Sequence, residues 1–495
     1  MVKTTTQKRA FHNPFAHGFV RVGAASPRVH LSRPEKNVEE IVAVAKEAHN
    51  GHYSLVTFPE LSITGYTNDD LFLQATLLEA TERAIASLAQ QTADLSPVLL
   101  VGAPISVGGG LFNTAIVLHR GKILGVVPKS FLPNYREFYE KRYFLPASAA
   151  PVDEINLAGQ TVPFGNDLLF CATDVPDVTL HVEICEDVWV PTPPSSFAAL
   201  AGATVLANLS ATNVTIGKSE QRHMLCRAQS QRCFAAYVFA ASGAGESTTD
   251  LAWDGQAMVY ENGDLLVESE RFDPGPSLIG ADVDIELLAQ ERRRHNSFFD
   301  AASQNPRRFR KIEFSLEPPI GKNIDLQRPV SRYPFVPSDA AKLDLLCYEA
   351  YNIQVEGLKQ RLTATKIDKL VLGVSGGLDS LQALLVACRA FDQLDLPRQN
   401  ILAYTLPAFA TSDQTKSNAW ATMRAVGVTA NEIDLTAACE QMLKDIDHPA
   451  ARGEADYDIA FENVQAGART SLLFRLANKH NALVLGTGDL SEIAL

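Results

Sequence analysis

The segment at residues 369–388 constrains the fold more than any other part of this sequence. An apolar run, LVLGV, leads directly into the loop SGGLDS (375–380), and an amphipathic stretch follows. In that stretch apolar residues recur at helical spacing, at Leu381, Leu384, Leu385 and Cys388. A buried strand that passes through a glycine loop into a helix is half of a β–α–β unit. We therefore expect a parallel sheet covered by helices.

The same alternation continues along the rest of the sequence. It comprises strand-like runs at 369–374, 400–406, 430–435 and 482–486, and helical patterns at 412–426 and 461–480. Strands that alternate with helices in this way are typical of an open parallel sheet with helices on both faces. The pattern predicts a C-terminal domain over residues 338–495 with a doubly wound parallel α/β fold.

The loop at 375–380 has the composition of a phosphate-binding loop. Glycines let main-chain N–H groups approach phosphate oxygens, and the N-terminus of the following helix adds the positive end of its dipole. The hydroxyls of Ser375 and Ser380 can donate further hydrogen bonds, and Asp379 offers an oxygen ligand for Mg²⁺. The loop lacks the Gly-Lys-Ser/Thr triplet of a Walker-type loop.

The first part of the chain predicts a separate domain, because 495 residues are too many for one core of ordinary size. Strand-like runs lie at 55–59, 98–103, 114–119, 181–185 and 204–208, and helical patterns lie at 34–49 and 77–91. This alternation indicates an α/β domain over residues 10–285 with layered sheets and covering helices.

Residues 286–337 differ in composition from both flanking regions. Basic residues cluster there, together with several prolines and without a clear period: Arg292, Arg293, Arg294, Arg307, Arg308, Arg310 and Lys311. A basic, proline-rich segment is typical of a solvated linker or a docking arm. We expect this segment to separate the two domains.

Three ionisable residues of the first domain directly follow, or end, apolar strand-like runs. Glu60 follows LVTF, Lys129 follows ILGVV, and Cys185 ends HVEIC. Each alone is more often a solvated loop charge or a small core residue. Together they form a chemical set, because a thiolate attacks an amide carbonyl, a lysine stabilises the oxyanion and a glutamate moves the proton. The acidic residues beside Cys185, at 183, 186 and 187, would raise the pKa of its thiol.

The segments PELSITGY, PKSFLPNYREF and ICEDVW, in this order, resemble the nitrilase/amidase superfamily. The resemblance implies an αββα sandwich in which Glu60 is the general base, Lys129 the oxyanion stabiliser and Cys185 the nucleophile. Glutaminase members recognise the glutamine side chain through a tyrosine after the lysine and polar residues after the cysteine strand. The matching positions are Tyr135, Thr212 and Lys218. Relatives have serine at the position of Thr212 and arginine at the position of Lys218.

The SGGLDS loop resembles that of the N-type ATP pyrophosphatases, whose domain is of the adenine nucleotide alpha hydrolase type. The order of the two domains, with FENVQAGAR at 461–469 and LGTGDLSE at 485–492, resembles the glutamine-dependent NAD synthetase family. That family converts deamido-NAD to NAD with ATP, Mg²⁺ and ammonia from L-glutamine, and its members are homo-oligomers. The resemblance implies ATP contacts at Gly373, Val374, Ser375, Gly376, Gly377, Leu378, Asp379, Ser380 and Thr487. It also implies deamido-NAD contacts at Asn463 and Glu492, and Mg²⁺ ligands at Asp379 and Glu492.

Composition excludes some other classes of function. A net charge of -13 argues against a nucleic-acid-binding protein, which needs a basic face. Seven cysteines without a CxxC pair do not indicate a disulfide framework. No apolar run reaches the ~20 residues of a membrane helix, and no apolar segment follows the basic N-terminus, so we expect no membrane partner and a cytoplasmic protein.

Two alternatives remain open at this point. The sequence stops soon after a loop that should contact ligand, so we expect the second domain to be incomplete at its C-terminus. Such a form could retain only glutaminase or amidase activity. The chain could also be a nitrilase-family amidase whose second domain is a regulatory nucleotide-binding module, and a non-catalytic scaffold is a more distant possibility.

Overall fold

The computed structural model describes residues 10–273, 275, 277–409 and 412–489. It divides into two compact units, Met1–Val330 and Ser331–Leu495. The division falls inside the segment 286–337, which differs in composition from both flanking regions. Each unit has its own apolar core, so each is described by itself.

The first unit contains both strands and helices. Its strands are β1 Phe19–Ser26, β2 Leu55–Thr57, β3 Val98–Val107, β4 Gly110–His119, β5 Lys122–Pro128, β6 Glu154–Leu157, β7 Gln160–Pro163, β8 Leu168–Ala172, β9 Thr179–Ile184, β10 Val205–Ser210, β11 Ala236–Ala241, β12 Ala257–Glu261, β13 Asp264–Glu268, β14 Ser277–Asp284 and β15 Arg310–Phe314. Its helices are α1 Pro34–Asn50, α2 Ala75–Gln91, α3 Pro194–Leu200, α4 Lys218–Cys233, α5 Ile285–Arg294 and α6 Asn296–Gln304.

Two sheets form the centre of this unit. One has six strands in the order β14-β1-β2-β3-β4-β5, and the other has seven in the order β13-β12-β11-β10-β9-β8-β15. A single apolar core contains residues from strands of both sheets, which therefore pack face to face. The helices α1 and α2 contribute to a second core with the outer face of the first sheet, and α3 and α4 contribute to a third with the other sheet. The αββα sandwich expected from the sequence is confirmed.

Strand β3 explains why both faces of a sheet are apolar in this arrangement. Its residues Val98 and Leu100 belong to the core between the sheets, whereas Leu99 and Val101 belong to the core under α1 and α2. Successive side chains of a strand point to opposite faces, so a sheet that is covered on both sides requires a continuous apolar run. The run VLLV meets that requirement.

The segment expected to be a linker, 286–337, instead contains α5, α6 and β15, and β15 pairs in parallel with β8. Arg292 and Arg310 of this segment bind other parts of the first unit. The guanidinium of Arg292, which is 7% exposed, donates to the backbone carbonyls of Phe234 and Cys233, and Arg310 donates to the Asp167 carboxylate. Composition alone does not reveal that these charges are satisfied within the fold. The division between the units falls after Val330.

The second unit contains one parallel sheet. Its helices are α7 Ala340–Thr365, α8 Leu378–Gln393, α9 Asp413–Val426, α10 Thr436–Asp445 and α11 Ile459–His480. Its strands are β16 Leu370–Gly373, β17 Ile401–Thr405, β18 Thr429–Glu432 and β19 Leu483–Leu485, in the sheet order β18-β17-β16-β19. All three pairings are parallel.

Helices cover both faces of this sheet. One core joins α7, α8 and α9 to Leu370 and Leu372 of β16, and another joins α10 and α11 to Val371 of the same strand. The doubly wound parallel fold expected for this region is confirmed. The chain leaves β16 towards β17 on one side and returns to β19 on the other, so a crevice forms at the carboxyl ends of β16 and β19. Across the described residues, the helices are too short or too polar to cross a membrane.

Candidate active site

Cys185 lies immediately after β9, at the start of a one-turn 3₁₀ helix, Cys185–Val188. Its φ of 45° is in the left-handed region, which is uncommon for a residue with a side chain. Asn208 holds this backbone, because its side chain accepts from the Cys185 N–H at 3.2 Å and donates to the Cys185 carbonyl at 3.4 Å. The Ser210 hydroxyl donates to the sulfur at 3.3 Å. Cys185 is therefore fixed in a strained turn at the end of a buried strand.

Glu60 is fully buried in the loop after β2, and its carboxylate accepts three hydrogen bonds. Oε1 accepts from Lys129 Nζ and from Asn113 Nδ2, each at 2.6 Å, and Oε2 accepts from the Ala211 backbone N–H at 2.9 Å. The backbone N–H of Glu60 donates to the carbonyl of Ser210. Ser210 thus contacts Cys185 through its hydroxyl and Glu60 through its carbonyl.

A glycine allows strand β3 to approach the Glu60 loop. A Cβ atom at Gly102 would lie 2.1 Å from the backbone nitrogen of Leu61, which is closer than any side chain permits. The loop is further held by the Ile63 N–H, which donates to the Gly102 carbonyl at 2.9 Å. The close packing of backbone on backbone fixes the position of the Glu60 carboxylate.

Lys129, directly after β5, is also fully buried. Its ammonium donates to Glu60 and to both carboxylate oxygens of Glu140, at 2.7 and 2.9 Å. The Tyr66 hydroxyl donates to Glu140 Oε1 at 2.9 Å. Burial opposes the charge of the ammonium, but Glu140 and Glu60 raise its pKa well above the ordinary value for lysine.

One ammonium between two buried carboxylates leaves an excess of negative charge away from water. Burial raises the pKa of Glu140 to about 7, although Lys129 lowers it. The pKa of the Cys185 thiol is also raised, first by burial and then by the charge of Glu60, while Lys129 and Ser210 oppose the rise. The thiol is therefore protonated at rest, and it becomes a nucleophile only if a base takes its proton during attack.

The acidic neighbours of Cys185 in sequence were expected to raise the pKa of its thiol. Among the charged groups, however, Glu60 raises that pKa most. Each neighbouring carboxylate has its own partner. Glu183 accepts from the Tyr237 hydroxyl at 2.6 Å, and Glu186 accepts from the Tyr135 hydroxyl at 2.9 Å.

Asp187, the third of these neighbours, connects the cysteine turn to the lysine loop. Its carboxylate accepts from the backbone N–H of Ile184 at 3.0 Å, of Phe131 at 2.9 Å and of Ser130 at 3.2 Å. Those donors lie immediately before Cys185 and immediately after Lys129 in the chain. Burial raises the pKa of this carboxyl to about 8.

The structure brings two of the three expected glutamine-binding residues to the rim of this site. Tyr135 is half exposed and donates to Glu186, as described above. Lys218 begins α4, donates to Asn213 Oδ1 at 2.7 Å, and its ammonium lies over the rings of Phe138 and Trp189 at 5.3 and 5.8 Å from their centroids.

Thr212 is 2% exposed, and its backbone carbonyl accepts from the guanidinium of Arg222 at 3.0 Å. Arg222 is itself buried in an ion pair with Asp254 at 2.8 Å. The Arg222–Asp254 pair therefore holds the loop between β10 and α4, which contains Thr212 and leads to Lys218.

In the second unit the expected ATP loop connects β16 to α8. The Ser375 and Ser380 hydroxyl oxygens lie 3.1 Å apart, and the Gly377 N–H donates to Ser375 Oγ at 3.2 Å. Gly376 has a φ of 86°, and a Cβ there would lie 2.1 Å from the Thr415 carbonyl oxygen, so only glycine fits. The loop is a compact turn at the crevice between β16 and β19.

A cavity of about 790 Å³ lies beside this loop, and both Asp379 and Thr487 line it. Asn463 is exposed on α11 and is not among the residues that line the cavity. Glu492 lies outside the described residues. Within the described ranges, no group of three or more His, Cys, Asp or Glu side chains could hold a metal ion by itself. Asp379 alone fits a Mg²⁺ ion that takes its other ligands from phosphates and water.

Sequence reasoning missed several residues of the first site. Asn113 carried a signal, because it is a polar residue inside the apolar strand FNTAIVLH. Ser210 carried another, because it ends β10, the parallel neighbour of the cysteine strand. Tyr66 ends PELSITGY, a segment that carried the family resemblance, whereas Glu140 carried no signal, since it lies in a loop rich in aromatic and charged residues.

Two family models match this chain. The carbon-nitrogen hydrolase model matches residues 21–293, and the NAD synthase model matches residues 350–495. The first corresponds to most of the first unit and the second to most of the second unit. The pair of matches agrees with the two resemblances found in the sequence.

Individual proteins show the same combination. The chain is 54% identical over 495 residues to the glutamine-dependent NAD(+) synthetase of Mycobacterium leprae (strain TN), covering 98% of this chain and 72% of that protein. It is 53% identical over 488 residues to the protein of that name from Mycobacterium tuberculosis (strain H37Rv), with the same coverages. The solved structure of the synthetase from Acinetobacter baumannii with adenosine diphosphate is 23% identical, with a TM-score of 0.45 over 96% of this chain and 76% of that one. By its close relatives and its two matching domains, this chain belongs to the glutamine-dependent NAD(+) synthetase family.

Proposed function

We propose that this chain makes NAD from deamido-NAD, using ATP and ammonia that it releases from L-glutamine. Membership of the family supports the overall reaction. The observation that carries the first half is the buried ion pair of Lys129 with Glu60, which Ser210 connects to Cys185. This reading is favoured over an amidase with a regulatory second domain, because both domain models match.

In the first step, Cys185 Sγ attacks the carboxamide carbon of glutamine. Glu60 takes the thiol proton and passes it to the departing nitrogen, so ammonia leaves and a γ-glutamyl thioester remains. The Lys129 ammonium lies beside the Glu60 carboxylate and stabilises the negative oxygen of the tetrahedral intermediate. In the second step, water attacks the thioester, Glu60 accepts a proton from the water, and glutamate leaves as the thiol is restored.

Glu140 and Asp187 serve this chemistry as positioning residues. Glu140 holds the ammonium of Lys129 with both carboxylate oxygens, so the lysine side chain has one orientation. Asp187 holds the backbone on either side of the site. Tyr135 and Lys218 at the rim and the buried Thr212 are proposed to bind glutamine, with the Lys218 cation suited to a carboxylate of the substrate.

The second unit is proposed to activate the nicotinate carboxylate of deamido-NAD. That carboxylate attacks the α-phosphorus of ATP, pyrophosphate leaves, and ammonia then displaces AMP from the resulting mixed anhydride to give the amide. The loop from Gly373 to Ser380 and Thr487 would contact ATP, and Asn463 and Glu492 would contact deamido-NAD. Asp379 and Glu492 would hold Mg²⁺, which neutralises phosphate charge when it is bound.

The test is to incubate the chain with ATP, Mg²⁺ and deamido-NAD and to supply either glutamine or ammonium chloride. NAD formed from both sources, with glutamate released only from glutamine, supports the proposal. Glutamate without NAD from either source limits the function to glutaminase chemistry. The absence of glutamate release contradicts the proposed role of the first unit.

A cytoplasmic location and a homo-oligomeric assembly are proposed with this function. The cysteines of the chain are all free, which is typical of a reducing compartment. The family resemblance supports the assembly. Light scattering coupled to size-exclusion chromatography measures the number of copies directly, and a mass near 53.8 kDa would contradict it.

A further inference from the structure

A second cavity in the first unit lies apart from the residues assigned to glutamine chemistry. Its volume is about 350 Å³, which is within the ~300–1,000 Å³ range of small-molecule sites. Five parts of the chain line it: Phe15, the end of α1 and the residues after it (49–54), Ser96, the turn between β4 and β5, and the segment after β15 (316–322). It shares no lining residue with the Cys185 site.

The cavity carries two permanent cations. Lys322 is exposed, and its ammonium makes no ion pair or hydrogen bond with the part of the chain that the structure describes. Arg120 pairs with Glu317 at 3.2 Å, but its Nε is buried without a hydrogen-bond partner among the described residues. Glu317 is the acidic residue of the lining, and Arg120 balances its charge. Lys322 therefore remains as an uncompensated charge.

His49 adds a ring N–H donor. Its Nδ1 accepts from the Ser96 backbone N–H at 3.1 Å, so the ring proton resides on Nε2. That N–H has no acceptor within the described residues. The His52 side chain completes the group, and burial, followed by the charge of Lys322, lowers its pKa. A cation is thus disfavoured here, and an anion would relieve the repulsion.

The remaining lining is suited to an organic group. The aromatic rings of Phe15 and Tyr53 line the cavity together with Leu316, Pro318 and Pro319. The polar part of the cavity offers N–H and ammonium donors, and the rest offers flat apolar surface. A phosphate group needs such donors, and a nucleoside or similar ring benefits from contact with apolar surface.

We propose that this cavity is a binding site for a small phosphorylated molecule, whose phosphate contacts Lys322, Arg120 and the Nε2–H of His49. The site does not rest on the proposed function. A free phosphate compound and a nucleoside monophosphate share this chemistry. Only the nucleoside monophosphate would also contact the apolar wall, which is the part of the lining formed by Phe15, Tyr53, Leu316, Pro318 and Pro319.

Hydrogen–deuterium exchange of the full chain tests the site with local resolution. Inorganic pyrophosphate and AMP are the two probes, added separately without Mg²⁺. We expect each to slow exchange in peptides covering 49–54 and 316–322, with stronger protection by AMP if the apolar wall contacts the nucleoside. Slower exchange at 373–380 in the same samples reports binding to the loop of the second unit, so the two sites are distinguished in one experiment.

Two variants of Lys322 and one control make the test specific. Lys322→Ala should raise the probe concentration that protects 49–54 by about tenfold or more, because it removes a charge-assisted contact. Lys322→Arg should retain it. Lys36→Ala removes the same charge from the first turn of α1, away from the cavity, and should have no effect. Protection confined to 373–380, or equal protection at 49–54 in Lys322→Ala, would overturn the proposal.

Discussion

The ammonium nitrogen of Lys129 lies 2.6 Å from Glu60 Oε1, and neither side chain is accessible to solvent. A buried ion pair is weak evidence for stability, because removal from water offsets most of the attraction between the charges. Here Glu140 adds a further carboxylate to the same ammonium. Such a group is expensive to bury and suited to moving protons, so function explains it better than stability does.

Glu60→Gln tests the proposed base. The amide keeps the size of the side chain and can still accept from Lys129, but it cannot take the thiol proton. We expect glutamine hydrolysis to fall about a hundredfold or more, which is the usual contribution of a general base. Glutamate release measures it, and ammonium-dependent NAD formation should be unchanged. A variant that retains a tenth of the wild-type glutaminase rate would contradict the assignment.

Glu140 should make stability depend on pH. Its pKa is about 7 in the folded chain, above the ordinary 4.5, so the fold favours the protonated form. Its contribution is therefore fully present below pH ~4.5 and is lost as the pH rises through about 7. Urea unfolding at pH 5 and pH 7.5 should show that wild type loses more free energy of unfolding than Glu140→Gln does between these values. An equal change in both proteins would contradict this account.

Asp187 should matter for both stability and rate. Asp187→Ala leaves the buried N–H group of Ile184 without its acceptor, at ~1–3 kcal/mol, and also removes the acceptor of the Phe131 N–H. We expect a lower free energy of unfolding and a lower kcat for glutamine, because the loops of Cys185 and Lys129 lose their common anchor. Asp187→Asn retains one oxygen and should lie between wild type and alanine in both measurements. If alanine changes stability but leaves kcat intact, Asp187 does not position the site.

Gly376 and Gly427 form a matched pair in the second unit. Both have positive φ, 86° and 75°, so alanine costs a similar ~1 kcal/mol of backbone strain at each. Only at Gly376 would the added Cβ meet another atom, 2.1 Å from the Thr415 carbonyl oxygen. Gly376→Ala should therefore abolish most ammonium-dependent NAD formation while glutamine hydrolysis continues, and Gly427→Ala should retain both. Equal losses in the two variants would show that strain alone is responsible.

The fold was largely predictable because its signals are local. Apolar runs such as VLLV at 98–101 mark strands covered on both faces, and LVLGV before SGGLDS marks a β–α–β unit. The segment at 286–337 was less predictable. Arginines such as Arg292 read as solvated charge in a sequence, whereas backbone carbonyls of the first unit bind that side chain in the fold.

The site was predictable only in part, since its members come from separate loops. The positions of Glu60, Lys129 and Cys185 after strands drew attention to them, but their roles came from resemblance and stay predictions. Glu140 could not be singled out, because nothing local distinguishes it from neighbouring Glu137. Its importance depends on where the loop folds, next to a buried ammonium.

Cys185→Ala is the most direct test of whether Cys185 releases the ammonia used for NAD, with Cys226→Ala as a control that removes another buried thiol of the same unit. NAD formation is measured with glutamine and, separately, with ammonium chloride. We expect Cys185→Ala to form no NAD from glutamine and to form it from ammonium at the wild-type rate, while Cys226→Ala uses both sources. Glutamine-dependent NAD formation by Cys185→Ala at the wild-type rate would contradict this expectation.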